Sequence, residues 1–292
     1  MIISASRRTD IPAFYADWFM NRIREGFCLV QNPDPRSLNQ VSNVSLLRED
    51  VDVIVFWTRF PLPLMKYLQE LDDRGFKYYF HYTVMNNPRW LDPKSPSLAK
   101  VIDTFRRIAD RIGPERMIWR YDPLVFSKKT NIDFHIENYS LITGKLKGYS
   151  SRSVISLVDQ MIRSANRMKA LDNAGAEFFS PDEQDLSTLI SSLVQISGEA
   201  GMEITSCAED LSSLGVRPGK CIDDEYILKT FGVKVSGAKH SQREKCGCVV
   251  SKDIGAYETC IFGCQYCYAT KDFDLAQKNY KNILPNAPSL SG

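Results

Sequence analysis

VDVIVFWTRFPLPLMKYLQELDDRGFKYYFHYTV, residues 51–84, contains one complete strand–helix–strand unit. Val51–Thr58 is a short β-branched and aromatic run, and Pro61–Arg74 carries apolar residues at three- and four-residue spacings. Gly75 stops the helix, and Tyr78–Val84 begins the next strand. Two strands joined by a helix pair in parallel through a right-handed crossover. The same alternation extends outward. Strands are expected at Ile2–Ala5, Met117–Tyr121, Val154–Val158 and Met202–Ser206, and helices at Ala13–Glu25, Leu98–Ile112, Asp133–Lys147 and Asp182–Glu199. Gly26, Gly113, Gly148 and Gly201 serve as stops. The expected fold is therefore α/β, with a parallel sheet that is open or closed into a TIM-like partial (βα) barrel.

In such folds the carboxyl ends of the strands share one face, and that face carries the site. Several of these strands finish in reactive or charged groups: Ser4-Ala5-Ser6-Arg7-Arg8, Trp57-Thr58-Arg59, His81-Tyr82-Thr83, Arg120-Tyr121-Asp122 and Thr205-Ser206-Cys207. Any one of them is as readily a polar strand end as a ligand contact. The repetition over five strands makes Ser4, Ser6, Arg7, Arg59, His81 and Arg120 candidate binding residues.

With 292 residues, 43% apolar content and 25% charge, the chain suits one large domain and has no signature of disorder. We expect a single unit over 1–292, with βα repeats in 1–206, a cysteine-rich region in 207–282 and a surface tail in 283–292. Thirty-seven basic and 35 acidic side chains leave a formal charge of +2, which neither indicates nor excludes nucleic acid. The opening MIISASRRTDIPAF lacks the pattern of a signal peptide, and no run of eighteen apolar residues suggests a membrane span. The expectation is a soluble, cytoplasmic protein without a membrane partner.

In a reducing compartment clustered cysteines are more often metal ligands or catalytic groups than disulfides. Seven of the eight cysteines follow residue 206, and three fall within Thr259-Cys260-Ile261-Phe262-Gly263-Cys264-Gln265-Tyr266-Cys267-Tyr268-Ala269. Three thiolates on one tight loop can each bind a different iron of a cubane cluster, leaving a fourth iron open to an outside ligand. The alternatives are a zinc site, which wants four ligands, and a chance grouping of buried thiols.

The spacing C-x3-C-x2-C, with aromatic Tyr266 before the last cysteine, resembles the signature of the radical S-adenosylmethionine (SAM) superfamily. The resemblance implies a 4Fe-4S cluster on Cys260, Cys264 and Cys267, with the open iron chelating SAM and Tyr266 in the cofactor site. It also implies reductive cleavage of SAM to a 5′-deoxyadenosyl radical that abstracts hydrogen from a substrate, and an electron donor such as flavodoxin or ferredoxin. The superfamily carries its triplet after the first strand, whereas here it comes last. Circular permutation accounts for this if Cys248–Lys252 is the first strand, the triplet its loop, Asp272–Asn282 the first helix and Ile2–Ala5 the second strand. The arrangement resembles an uncharacterised bacterial family, a domain of unknown function with such a C-terminal cysteine cluster, from SASRRTDIPAF to CGCVVSKDIGAYETC. FWTRFP and RYDPLVF bear a distant likeness to the spore photoproduct lyase branch. The Gly-Gly-Glu-like motif that holds the SAM amino group in the superfamily is missing. Ser4, Ser6, Arg7, Arg8, Thr9 and Asp10 stand in its place, while Arg59 and Arg120 could pair with the SAM carboxylate or serve as structural ion-pair partners.

Cys207, Cys221, Cys246 and Cys248 form a second candidate set, for an auxiliary iron–sulfur cluster or zinc, with Gly247 letting the neighbouring sulfurs turn toward one centre. Inert buried thiols, or a hydrogen-atom donor, are the alternatives. Cys28, at an apolar helix end, reads as core. His81 could contact SAM or substrate or be a bonded core residue, while His135 and His240 read as exposed. Two other functional classes stay open: a non-catalytic zinc or iron–sulfur module that recruits nucleic acid or protein, and a two-cluster electron carrier.

Overall fold

A computed structural model describes residues 1–32, 40–158, 163–239 and 245–291. His240 lies outside the described residues. The chain runs β1 (Ile2–Ala5), α1 (Ile11–Phe14), α2 (Ala16–Glu25), β2 (Phe27–Gln31), β3 (Val41–Ser45), β4 (Val53–Thr58), α3 (Leu62–Met65) and α4 (Leu68–Asp73). It continues through β5 (Tyr78–Thr83), α5 (Leu98–Ile112), β6 (Met117–Leu124), α6 (Ile132–Leu146), β7 (Arg152–Leu157), α7 (Ala165–Leu171) and α8 (Glu183–Glu199). The last elements are β8 (Glu203–Cys207), β9 (Arg217–Gly219), α9 (Asp224–Phe231), β10 (Lys252–Asp253) and α10 (Phe273–Asn282).

Eight strands form one sheet in the order β10-β1-β4-β5-β6-β7-β8-β9, and every pairing in it is parallel. Chain neighbours are mostly sheet neighbours, as short βα connections dictate. The departure at the start of the sheet is β10, which returns from the far end of the chain to pair with β1, Ile3 opposite Lys252 and Ser4 opposite Asp253. The antiparallel hairpin β2–β3 stands apart from this sheet.

Both faces of the sheet are apolar, which is what a parallel sheet covered on both sides requires. Ile3, Ala5, Ile54, Phe56, Phe80, Tyr82, Trp119 and Tyr121 project to one face and join the main core with the helices. Burying side chains of this size contributes about 1.5–3 kcal/mol each. Ile2, Val53, Val55, Tyr79 and Ile118 project to the other, where Cys221, Ile222, Tyr226, Ile227, Cys248 and Val249 cover them. The cysteine-bearing stretch after β8 is thus packed against the second face of the sheet.

Two expectations, for Cys28 and His135, need correction. Cys28 is buried as anticipated but lies in β2, not at a helix end. Residues 283–291 lie mostly along the surface, where Trp18 Nε1 donates to Ala287 O at 2.8 Å, Leu29 N donates to Pro288 O at 2.8 Å, and Leu290 is buried. His135, expected to be exposed, has no solvent exposure. It begins α6, but its face of the helix turns onto Phe126 and Tyr121, whose hydroxyl meets its Nδ1 at 3.0 Å, and its Nε2 meets Val125 O at 3.2 Å.

Burial lowers the His135 pKa to about 4, against 6.5 for the free side chain. A folded-state pKa below the unfolded one means that the unfolded chain binds more protons between those values. Stability from this residue is therefore complete above about pH 6.5 and is lost as pH falls toward 4. Between pH 7 and 4 the loss amounts to about 3 kcal/mol. Urea unfolding of His135→Gln across that range should lack this part of the acid slope; parallel profiles for variant and parent would refute the assignment.

Candidate active site

The segment leaving β10 is held to the segment leaving β1 by one carboxylate. Asp253 accepts from Ser4 Oγ at 3.1 Å, Ser6 Oγ at 2.5 Å, Arg7 N at 2.8 Å and Arg8 Nε at 3.2 Å. Gly255 follows two residues later with no room for a side chain, since a Cβ there would stand 2.6 Å from Ser6 Cβ. The hydroxyls of Ser4 and Ser6 are therefore engaged by the protein itself.

The triplet loop then packs across the strand ends. Tyr15 OH donates to Thr259 O at 2.8 Å, and Tyr268 OH donates to Arg7 O at 2.8 Å. Arg167 braces the loop from outside, giving hydrogen bonds to Gln265 O at 3.1 Å, Cys267 O at 2.6 Å and Lys271 O at 2.8 Å. Cys260, Cys264 and Cys267 share one packed group with Phe262, Tyr266, Leu91 and Val125. Cys264 is buried, its two companions are half-buried, and none is in a disulfide.

Beside Cys264 lies an ionic network. Arg59 donates through Nη1 to Asp92 Oδ2 and to Ser95 Oγ, both at 3.1 Å, and through Nη2 to Tyr266 OH. Tyr266 OH in turn donates to Asp92 Oδ2 at 3.1 Å, and Asn87 Nδ2 donates to the same oxygen at 2.9 Å. Asp92 is 2% exposed, and its Oδ1 is buried without a partner among the described residues. Arg59 thus forms an ion pair with Asp92. Burial pushes the Cys260 thiol up to about 12. It raises Cys264 well above its ordinary value, with Arg59 opposing the rise. Both are thiols until a cation displaces their protons.

A second constellation sits on the face covered by the cysteine-bearing stretch. Trp57 stacks on His81 with ring centroids 4.4 Å apart, and the guanidiniums of Arg7 and Arg120 lie 5.0 and 5.2 Å from the Trp57 ring. His81 is 1% exposed and its Nε2 lies 2.6 Å from Cys221 O. Arg120 pairs with Asp122, Nε to Oδ2 at 2.9 Å, and donates through Nη1 to Cys221 Sγ at 3.1 Å. Cys221 Sγ is 3.2 Å from Cys207 Sγ and also bonds Cys248, which bonds Cys246. Arg7 Nη2, Trp57 Nε1 and His81 Nδ1 are buried and have no hydrogen-bond partner among the described residues.

The seven side chains singled out in the sequence besides the cysteines thus divide between these places: Arg59 and Tyr266 at the triplet, Ser4 and Ser6 at Asp253, and Arg7, His81 and Arg120 at the second group of thiols. Among the described residues, no group of three or more His, Cys, Asp or Glu side chains is placed to hold a metal ion, so either cysteine set must turn its sulfurs before it can enclose one. Asp92, Asp253 and Arg167 are not among the residues the sequence singles out. Their partners are distant in the chain, so no local pattern marks them.

A family model matches residues 2–269, nearly the whole length. The chain belongs to the family described as a domain of unknown function, DUF1848. A search of curated proteins found no match. In this DUF1848 chain no described helix is long and apolar enough to cross a membrane. The DUF1848 match spans β1 through the triplet, so both constellations lie within it.

Proposed function

We propose that this protein is a radical-SAM enzyme built on a circularly permuted partial βα barrel, with Cys260, Cys264 and Cys267 holding a 4Fe-4S cluster. The observation that carries the reading is the parallel pairing of β10 with β1. It makes β10, the triplet loop and α10 a βα unit flanking the strand that opens the chain, which is the order a permuted barrel needs. The donor chemistry fits: three unbridged thiols on one loop, with Phe262, Leu91 and Val125 shielding them from water.

When bound, the cluster supplies an electron for reductive cleavage of SAM and so generates the radical that takes hydrogen from substrate. The chain's own part is to hold and shield. Arg167 fixes the loop carbonyls, and the Arg59–Asp92–Tyr266 network fixes the side of Cys264. Arg59 also places positive charge beside that sulfur, favouring the thiolate that ligation requires. Among the polar residues expected to meet SAM, Ser4 and Ser6 are committed to Asp253, whereas Arg7 keeps a donor to give.

The test is anaerobic reconstitution with iron and sulfide, followed by reduction in the presence of SAM. The expected result is about four irons per chain and release of 5′-deoxyadenosine. Stoichiometric zinc in the triplet, with intact SAM recovered after reduction, would exclude the reading.

A further inference from the structure

The geometry points to a second metal site, distinct from the triplet, in which Cys207, Cys221, Cys246 and Cys248 bind a single zinc-class divalent ion as a tetrathiolate. It does not rest on the radical-SAM reading. The four sulfurs come from three separate segments: the end of β8, the loop after β9 and the stretch before β10. They form a continuous file, Cys207 to Cys221 at 3.2 Å, then Cys221 to Cys248 and Cys248 to Cys246. Tetrahedral zinc with bonds of about 2.3 Å holds its sulfurs about 3.8 Å apart. Cys207 and Cys221 at 3.2 Å stand inside that edge and must part slightly to take an ion, but sulfurs this close suit one ion better than a cubane, whose ligands bind different irons.

The surroundings are those of a thiolate centre. Ile222 N, the amide after Cys221, donates to Cys248 Sγ at 3.4 Å, and Arg120 Nη1 donates to Cys221 Sγ at 3.1 Å. Hydrogen bonds to ligating sulfur orient it and stabilise its charge. Binding releases four thiol protons to solvent and leaves a centre of net charge −2. Arg120 is already paired with Asp122, but Arg7, which lies close to Cys248 and Cys221, has its Nη2 buried and unpartnered among the described residues. A buried cation of this kind is costly unless negative charge faces it. The metal would also tie together the segments that cover the second face of the sheet.

The experiment uses the full chain carrying Cys264→Ala, so that a cluster on the triplet cannot contribute, loaded with zinc and dialysed. One zinc per chain should remain, with zinc-edge X-ray absorption showing four sulfurs at about 2.3 Å. The further change Cys221→Ser should lower retained zinc at least tenfold. Because that variant can also misfold, the absorption measurement on the chain with its second thiol group intact decides independently. Fewer than four sulfur ligands, no retained zinc, or iron with acid-labile sulfide bound by these cysteines would each overturn the proposal.

Discussion

Cys264→Ala is expected to yield a folded protein that has lost both the site-differentiated cluster and SAM cleavage. Cys264 is the middle thiol and the buried one, packed between Phe262 and Tyr266. Replacing it removes one small, weakly polar group, a change that costs about 1 kcal/mol or less when the surrounding packing is kept. Its effect on ligation is of another order, because two thiolates cannot hold a cluster that needs three. Iron content after reconstitution should fall to the level of an apoprotein, and 5′-deoxyadenosine release should drop to background. Thermal unfolding monitored alongside separates this from misfolding. A variant that keeps either the cluster or the cleavage would show that Cys264 is not a ligand.

Asp92→Ala should be the most destabilising single change near the site. The carboxylate is 2% exposed and takes hydrogen bonds from Arg59, Tyr266 and Asn87 through one oxygen. Truncation leaves the Arg59 guanidinium buried without a counter-charge, which costs about 3–5 kcal/mol. Tyr266→Phe removes a neutral group from the same network and should cost only about 1 kcal/mol. Combining Asp92→Ala with Arg59→Met should recover much of the loss, since the penalty lies in the stranded charge. Urea unfolding measures all four proteins. A loss below about 1 kcal/mol for Asp92→Ala would mean that Arg59 finds water or another acceptor, contrary to the burial argument.

The two outcomes concern different links of the same chain of cause. Asp92 acts through Arg59 and Tyr266 on the position of the loop, so it is a positioning residue. Cys264 touches whatever the loop binds. A milder Asp92→Asn, which keeps the shape and loses the charge, should weaken stability while leaving iron content intact.

Much of the fold is legible in the sequence because its signals are local. The glycine after each predicted helix does what a helix stop does: Gly26, Gly75, Gly113, Gly148 and Gly201 all adopt positive φ. Leu98–Ile112 is a helix over the span its periodicity predicts. The six predicted strands all form, Ile2–Ala5 over the predicted span and the others with ends up to three residues away. The hairpin β2–β3 is absent from that reading because its strands carry no clean alternation: Phe27–Gln31 is half-covered, and Val41–Ser45 is largely exposed. Strand β9, three residues with proline at its centre, offers too short a pattern to recognise.

By itself the sequence determined the α/β alternation, the clustering of thiols in the last third and the C-x3-C-x2-C loop, because each depends on residues close together in the chain. Only the tertiary structure decided that β10 lies beside β1, that Ser4 and Ser6 spend their hydroxyls on Asp253, and that Arg59 belongs to Asp92. It also decided that Cys207 meets Cys221 under the guanidinium of Arg120. These contacts join residues up to 249 positions apart. No local propensity encodes them; they arise because burying both faces of one parallel sheet leaves each polar group at its rim a single set of neighbours with which to satisfy its hydrogen bonds.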